Sequence, residues 1–193
     1  MTNQPTAEQI LDVAEDLIRE RGYNAISYAD ISRIIGIRKA SIHYHFPTKA
    51  ELGRVLIQRY CDRFFQRRRQ LEQIAPGPST KLSQFIGLFA AGLAGDKICL
   101  CNILSADCST LPDAINQEVV NFIENNVAWL TRVLNDGSQN GDWELADAPE
   151  DDAHGLLATL QGAQLIARLA HEPERTFNQA LQPWRSHFGL MAV

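Results

Sequence analysis

Between Ser27 and Lys49 the sequence runs SYADISRIIGIRKASIHYHFPTK, and this stretch gathers most of the residues able to act on another molecule. Arg38, Lys39, Ser41, His43, Tyr44 and Lys49 all carry hydrogen-bond donors and lie close together in sequence. A lysine can donate to O6 and N7 of guanine, and serine and tyrosine hydroxyls suit phosphate oxygens. Ile42 and Phe46, four positions apart, face the other way on a helix. A short helix that is apolar on one side and offers donors and an aromatic on the other has the form of a major-groove reader.

Such a helix needs a frame, and the flanking residues supply one. Ser27 with Asp30 forms a capping start for a helix in which Ile31, Ile34 and Ile35 share a face, and Gly36 makes the turn that ends it. Upstream, Thr6 with Gln9 opens a helix with Ile10, Leu11, Ala14, Leu17 and Ile18 at helical spacing, and Gly22 stops it. Downstream, Pro47 interrupts the chain, and Thr48-Lys49-Ala50-Glu51 caps a long helix marked by Leu52, Val55, Leu56 and Phe64. Lys49 falls in the first turn of that helix, where exposed amides already favour an anion, so it reads as a phosphate clamp. Arg67-Arg68-Arg69 lies about five turns further along, which carries it well away from the reading helix.

The run from Ile26 to Glu51 resembles the N-terminal domain of the TetR family of bacterial repressors. The resemblance rests on Gly36-Ile37, Ser41-Ile42, Tyr44-His45-Phe46 and Thr48-Lys49 at fixed spacing, and is close over roughly the first 60 residues. It departs at Ala40, where many members have Gly, and at His43, where most have Tyr, so base preference does not carry over from a relative. It implies that Lys39 and Ala40 face bases with Arg38 and His43 beside them. It further implies that Ser41, Tyr44 and Lys49, together with Tyr28 at the front of the preceding helix, hold phosphates.

The formal net charge is −5, but it is unevenly spread. Residues 1–75 hold 12 Lys and Arg against 9 Asp and Glu, whereas residues 76–193 hold 6 against 14. A basic head on an acidic body is expected, since phosphate would repel the second part. Ala75-Pro76-Gly77-Pro78-Ser79 is the clearest break. Beyond it, helices are expected from Thr80 to about Gly95, from Ile98 to about Ser109, from Pro112-Asp113 to near Gly137, from Pro149 to about His171, and from Pro173 onward. No strand pattern or repeat is evident, so the fold class is all-α. The expected organisation is a helix-turn-helix domain over residues 1–47 and an effector-binding and dimerisation domain over 48–193, with 48–75 as the connecting helix.

Phe85, Phe89, Phe122, Trp129 and Trp143 come from separate segments and offer more aromatic surface than one core layer needs. They are expected to line an apolar effector cavity, as the resemblance also implies. Gly155, Ala158 and Gly162 recur at helical spacing, and the smooth side they make invites the last helix, with Trp184 and Phe188, and its copy into a two-fold bundle. The expected partners are therefore palindromic operator DNA, a small effector and a second copy of the chain.

Four cysteines are too few for a disulfide scaffold at this length. Cys99, Cys101 and Cys108 read either as small buried residues or as a redox- or electrophile-sensing thiol, with Asp96-Lys97 ahead of Cys99 able to tune it. Cys101 and Cys108, seven apart, would share a helical face. His43 and His45 diverge on a helix, and no third ligand is near, so neither a metal nor a cofactor is expected. A cysteine with His154 or His171 and Asp107 can be drawn as an enzyme's nucleophile, base and orienter. No nucleophile elbow or phosphate loop supports that drawing. With no apolar run long enough to span a bilayer and no basic-then-apolar start, a cytoplasmic protein is expected.

Overall fold

The computed structural model describes residues 6–95, 97–145 and 147–190. Asp96, named above beside the cysteines, lies outside them. Among the described residues there is no strand, and nine α-helices follow one another. They are α1 (Thr6–Arg21), α2 (Tyr28–Ile35), α3 (Lys39–His45), α4 (Lys49–Ile74), α5 (Pro78–Ala90), α6 (Leu100–Ala106), α7 (Asp113–Asn140), α8 (Pro149–Ala167) and α9 (Pro173–His187). Among the described residues, no helix is long and apolar enough to cross a membrane.

The chain divides into two units, and the division falls inside α4 and again inside α7. The first comprises Met1–Asp62 with Leu100–Val120. In it α1 packs on α2, α3 and α6. Ile10, Leu11, Ala14, Leu17 and Ile18 of α1 are buried as their spacing requires, along with Ile31, Ile42 and Phe46. Ile34 is not; it is 53% exposed, because an eight-residue helix buries only a narrow stripe against α1 and α3. Arg59 of α4 ties down α1. Its guanidinium reaches Glu8 at 2.6 Å, Asp12 at 2.8 Å and Glu15 at 3.5 Å, one cation shared by three carboxylates of a single helix face.

The second unit comprises Arg63–Cys99 with Asn121–Val193. Here α8 packs on α9 and α5. Gln164 on α8 is buried and uses both ends of its amide. Nε2 donates to the Phe89 carbonyl at 2.8 Å, and Oε1 accepts the Cys99 N–H at 3.1 Å. Two backbone groups at the end of α5 and beyond it are thereby satisfied inside the protein, where leaving them bare would cost about 1–3 kcal/mol each.

Several boundaries differ from those expected. The sixth helix is shorter: it ends at Ala106, and Cys108–Thr110 turns in a 3-10 coil, so Cys101 and Cys108 do not share a helix. Beyond Gly137, where it was expected to fade, α7 continues to Asn140. The glycine is required there by packing, because a Cβ at Gly137 would lie 1.9 Å from the Trp143 ring, whose Nε1 donates to the Leu134 carbonyl at 3.0 Å. α8 stops at Ala167, short of His171.

Candidate nucleic-acid interface

Local chemistry places α2 and α3. The Asp30 carboxylate accepts from the Ser27 hydroxyl at 2.6 Å and the Ser27 N–H at 3.0 Å, closing the N-terminus of α2. Those two bonds from Ser27, with the Arg33 guanidinium, hold the Asp30 carboxyl below its ordinary range. At the other end Gly36 takes φ 78°, a left-handed conformation that a side chain would strain, and its N–H bonds the Ser32 carbonyl. The chain then enters α3 with Arg38 as the residue before its first turn.

On α3, Ile42 is buried, and Phe46 just after its end is buried as well, while Arg38, Lys39, Ala40, His43 and Tyr44 are exposed. Tyr44 is 84% exposed, a degree that packing cannot explain for so large an apolar ring. Ser41 is half-buried beside them. The His43 ring lies 3.3 Å from the Pro47 carbonyl through Nδ1. A carbonyl only accepts, so in that bond Nδ1 carries the proton, and Nε2 is left as an acceptor while the ring is neutral.

Tyr28 and Lys49 are more engaged than the other candidates. The Tyr28 hydroxyl donates to the Phe46 carbonyl at 2.7 Å, and its ring meets His43 edge-on at 4.7 Å between centroids. Burial, with lesser effects of Tyr23 and Glu51, pushes its hydroxyl up to about 12. Its proton is thus committed to fastening the end of α3 to α2. Lys49 opens α4, with the Glu51 N–H bonded to the Thr48 hydroxyl at 3.1 Å. Its ammonium sits over the Tyr23 ring at 4.5 Å. Burial holds it below the usual lysine value, and the Asp107 charge opposes that shift.

Asp107 has a structural part that sequence reasoning did not find. Its Oδ2 accepts the Tyr23 N–H at 2.9 Å, and Asn24 Nδ2 donates to Thr110 Oγ1 at 2.6 Å close by. The turn between α1 and α2 is therefore fastened to the coil after α6. Nothing local announces a bond across 84 positions.

In the second unit, Phe85, Phe89, Phe122 and Trp129 are buried, and the three phenylalanines gather around Phe64. Phe85 stacks on Trp129 at 4.9 Å between centroids. Trp143 keeps other company, with Gly137 and with the Phe188 ring at 5.1 Å. On α8 a Cβ at Gly155 would lie 3.1 Å from Trp184, so these two serve the packing of α8 on α9, while Phe188 is buried within the chain against Trp143 and Trp184. Ala158 is exposed, and a Cβ at Gly162 would meet nothing within 4 Å. The same helix and the turn after it also expose Leu165, Ile166 and Leu169, the last at 91%. The search for small residues overlooked these three, although their apolar spacing was visible. Of the cysteines, Cys99 and Cys101 are buried and Cys108 is exposed.

Residues 10–54 match the profile of a family described as bacterial regulatory proteins, tetR family. The fold is similar to that of a TetR-family transcriptional regulator from Agrobacterium tumefaciens, with a TM-score of 0.90 and 35% identity, covering 94% of this chain and 96% of that one. It is also similar to a TetR transcriptional regulator from Legionella pneumophila, with a TM-score of 0.82 and 30% identity, covering 95% and 99%. In sequence the chain is 25% identical over 175 residues to the HTH-type transcriptional repressor DhaR of Mycobacterium sp. strain GP1, covering 90% of this chain and 88% of that protein.

Proposed function

Because the chain belongs to the TetR family of bacterial transcriptional regulators, we propose that it is a repressor that a small effector releases from a palindromic operator. The observation that carries this reading is the outer face of α3, where Lys39, Ala40, His43 and Tyr44 stand exposed on a helix held in place by the bonds of Tyr28 and Asp30. Residues 1–47 are the reading head, in which Lys39 and Ala40 address bases with Arg38 and His43 beside them. Ser41, Tyr44 and Lys49 address phosphates, and Tyr28 joins them only by giving up its bond to Phe46. Residues 48–193 bind the effector and dimerise, with 48–75 as the connecting helix.

The dimer is isologous. Ala158, Leu165, Ile166 and Leu169, with Gly162 among them, form an apolar stripe along α8 and the turn after it that fits a second copy of itself. The effector lies among Phe85, Phe89, Phe122 and Trp129. By binding one arrangement of the dimer more tightly than the other, it changes the separation of the two heads. Two heads reading successive major grooves must stand about 34–36 Å apart, so a shift of a few ångströms releases the DNA.

Selection of random duplexes by the purified chain tests this reading. The expected product is a two-fold symmetric site with half-sites one helical turn, or a multiple of one, apart. An enriched pool without symmetry would remove the dimeric reader, and no enrichment would remove the DNA-binding role.

A further inference from the structure

Arg68 sits in the middle of a run of three arginines, yet it is only 8% exposed. Its Nη1 donates to Asn126 Oδ1 at 2.7 Å and to the Asn125 carbonyl at 3.1 Å. The guanidinium carbon lies 4.8 Å from the centre of the Phe65 ring and 5.5 Å from that of Trp129. Nε is buried and meets no acceptor. Among the described residues, no carboxylate comes within ion-pair distance of Arg68. The acid nearest in sequence on the same helix face, Glu72, already accepts the Trp129 indole N–H at 2.6 Å.

This is an unusual place for a cation. A guanidinium taken from water is normally paired with an anion, since neutral acceptors return only part of the lost hydration. Burial indeed pulls Arg68 down to about 10, eased by Glu72 and reinforced by the charges of Arg132 and Arg69. The charges of Arg132 and Arg69 thus raise the local positive potential around Arg68. With Nη1 committed to the asparagines, the edge bearing Nε is left for a planar anion, which a guanidinium takes with two parallel bonds.

We propose that Arg68 is the anchor for an anionic effector, a carboxylate or similar monoanion on an aromatic or other apolar body that lies against Phe65 and Trp129. The proposal rests on the effector reading above and narrows it to a chemical class. The anion supplies the counter-charge that the protein withholds, and the rings accept the apolar part. In the absence of the ligand, the uncompensated cation is a weak point in the fold.

The test uses the full chain and two dyes of nearly the same shape, the anion anilinonaphthalene sulfonate and its uncharged counterpart phenylnaphthylamine. Each is titrated by fluorescence into the wild type, Arg68→Met and Arg68→Lys. The wild type is expected to bind the anion about ten-fold more tightly than the neutral dye, the worth of one charge-assisted pair. Arg68→Met should erase that preference while leaving the neutral dye within about two-fold, and should unfold at an equal or higher temperature. Arg68→Lys, which keeps the charge without the fork, should lose part of the preference and decides the matter if the Met variant does not fold. Equal binding of the two dyes by the wild type, an anion preference that survives in Arg68→Met, or, if only Arg68→Lys folds, a preference undiminished in that variant, overturns the proposal. The same wild-type sample is put through duplex selection, so loss of DNA binding with anion preference intact would sink the regulator reading alone.

Discussion

The carboxylate of Asp107 accepts the backbone N–H of Tyr23, joining the coil after α6 to the turn between α1 and α2. Tyr23 is buried, so water does not readily replace that acceptor. Asp107→Ala is expected to destabilise the first unit by about 1–3 kcal/mol. Asp107→Asn keeps an oxygen in place and should lose less than half as much. Urea unfolding measures both, and two variants indistinguishable from wild type would show that the bond does not hold the turn.

Lys49 and Lys39 should fail in different ways. Lys49 stands in a first helical turn beside Tyr23, suited to a phosphate, and Lys39 stands exposed on α3. Lys49→Ala is expected to weaken all duplexes about equally and to reduce the salt slope of binding by about one. Lys39→Ala should alter which duplex is preferred. An unchanged salt slope in the first variant would remove the phosphate role.

Tyr28 gives the protein an alkaline limit. Its folded value of about 12 lies above the ordinary 10.0, so the folded state favours the protonated phenol. The stability this contributes is complete below pH 10.0 and is lost as the pH rises toward about 12. Tyr28→Phe should cost about 1 kcal/mol at neutral pH through the lost bond to Phe46. It should also remove one high-pH step from the tyrosinate absorbance titration. A titration identical in the two proteins would refute the assignment.

Gly162→Trp isolates the proposed dimer contact, because the space above Gly162 is open within the chain. The variant should fold with wild-type stability as a monomer and bind a single half-site weakly. Sedimentation showing it dimeric at micromolar concentration, with operator binding unchanged, would remove α8 from the interface.

The head was legible because its signals are local. Ser27 with Asp30, Gly36, and Thr48 with Glu51 each specify a helix end within four residues, and the isoleucine spacing specifies the buried face. What stayed hidden depends on distance. Asp107 meets Tyr23 and Trp143 meets Gly137 through folding back of the chain, and no short pattern encodes either. Arg68 was concealed differently: a run of three arginines reads as solvated surface, and only the neighbouring rings and Asn126 reveal that the middle one is inside. Trp184 and Gly155 carried the right helical pairing within one chain, and the open stripe continues to Leu165, Ile166 and Leu169.

The first unit is assembled from two stretches of chain, Met1–Asp62 and Leu100–Val120. On the ribosome, the helix-turn-helix emerges and waits while the intervening residues are made, a delay of several seconds at about 5–20 residues per second. During that interval the Tyr23 N–H and the underside of α1 lack the partners that α6 and Asp107 later bring. A nascent or truncated chain ending before Leu100 therefore carries the whole proposed reading face without the parts that hold the head to its native stability. A message broken early would yield a short-lived reader, cleared by proteases before it competes with the finished protein for its sites.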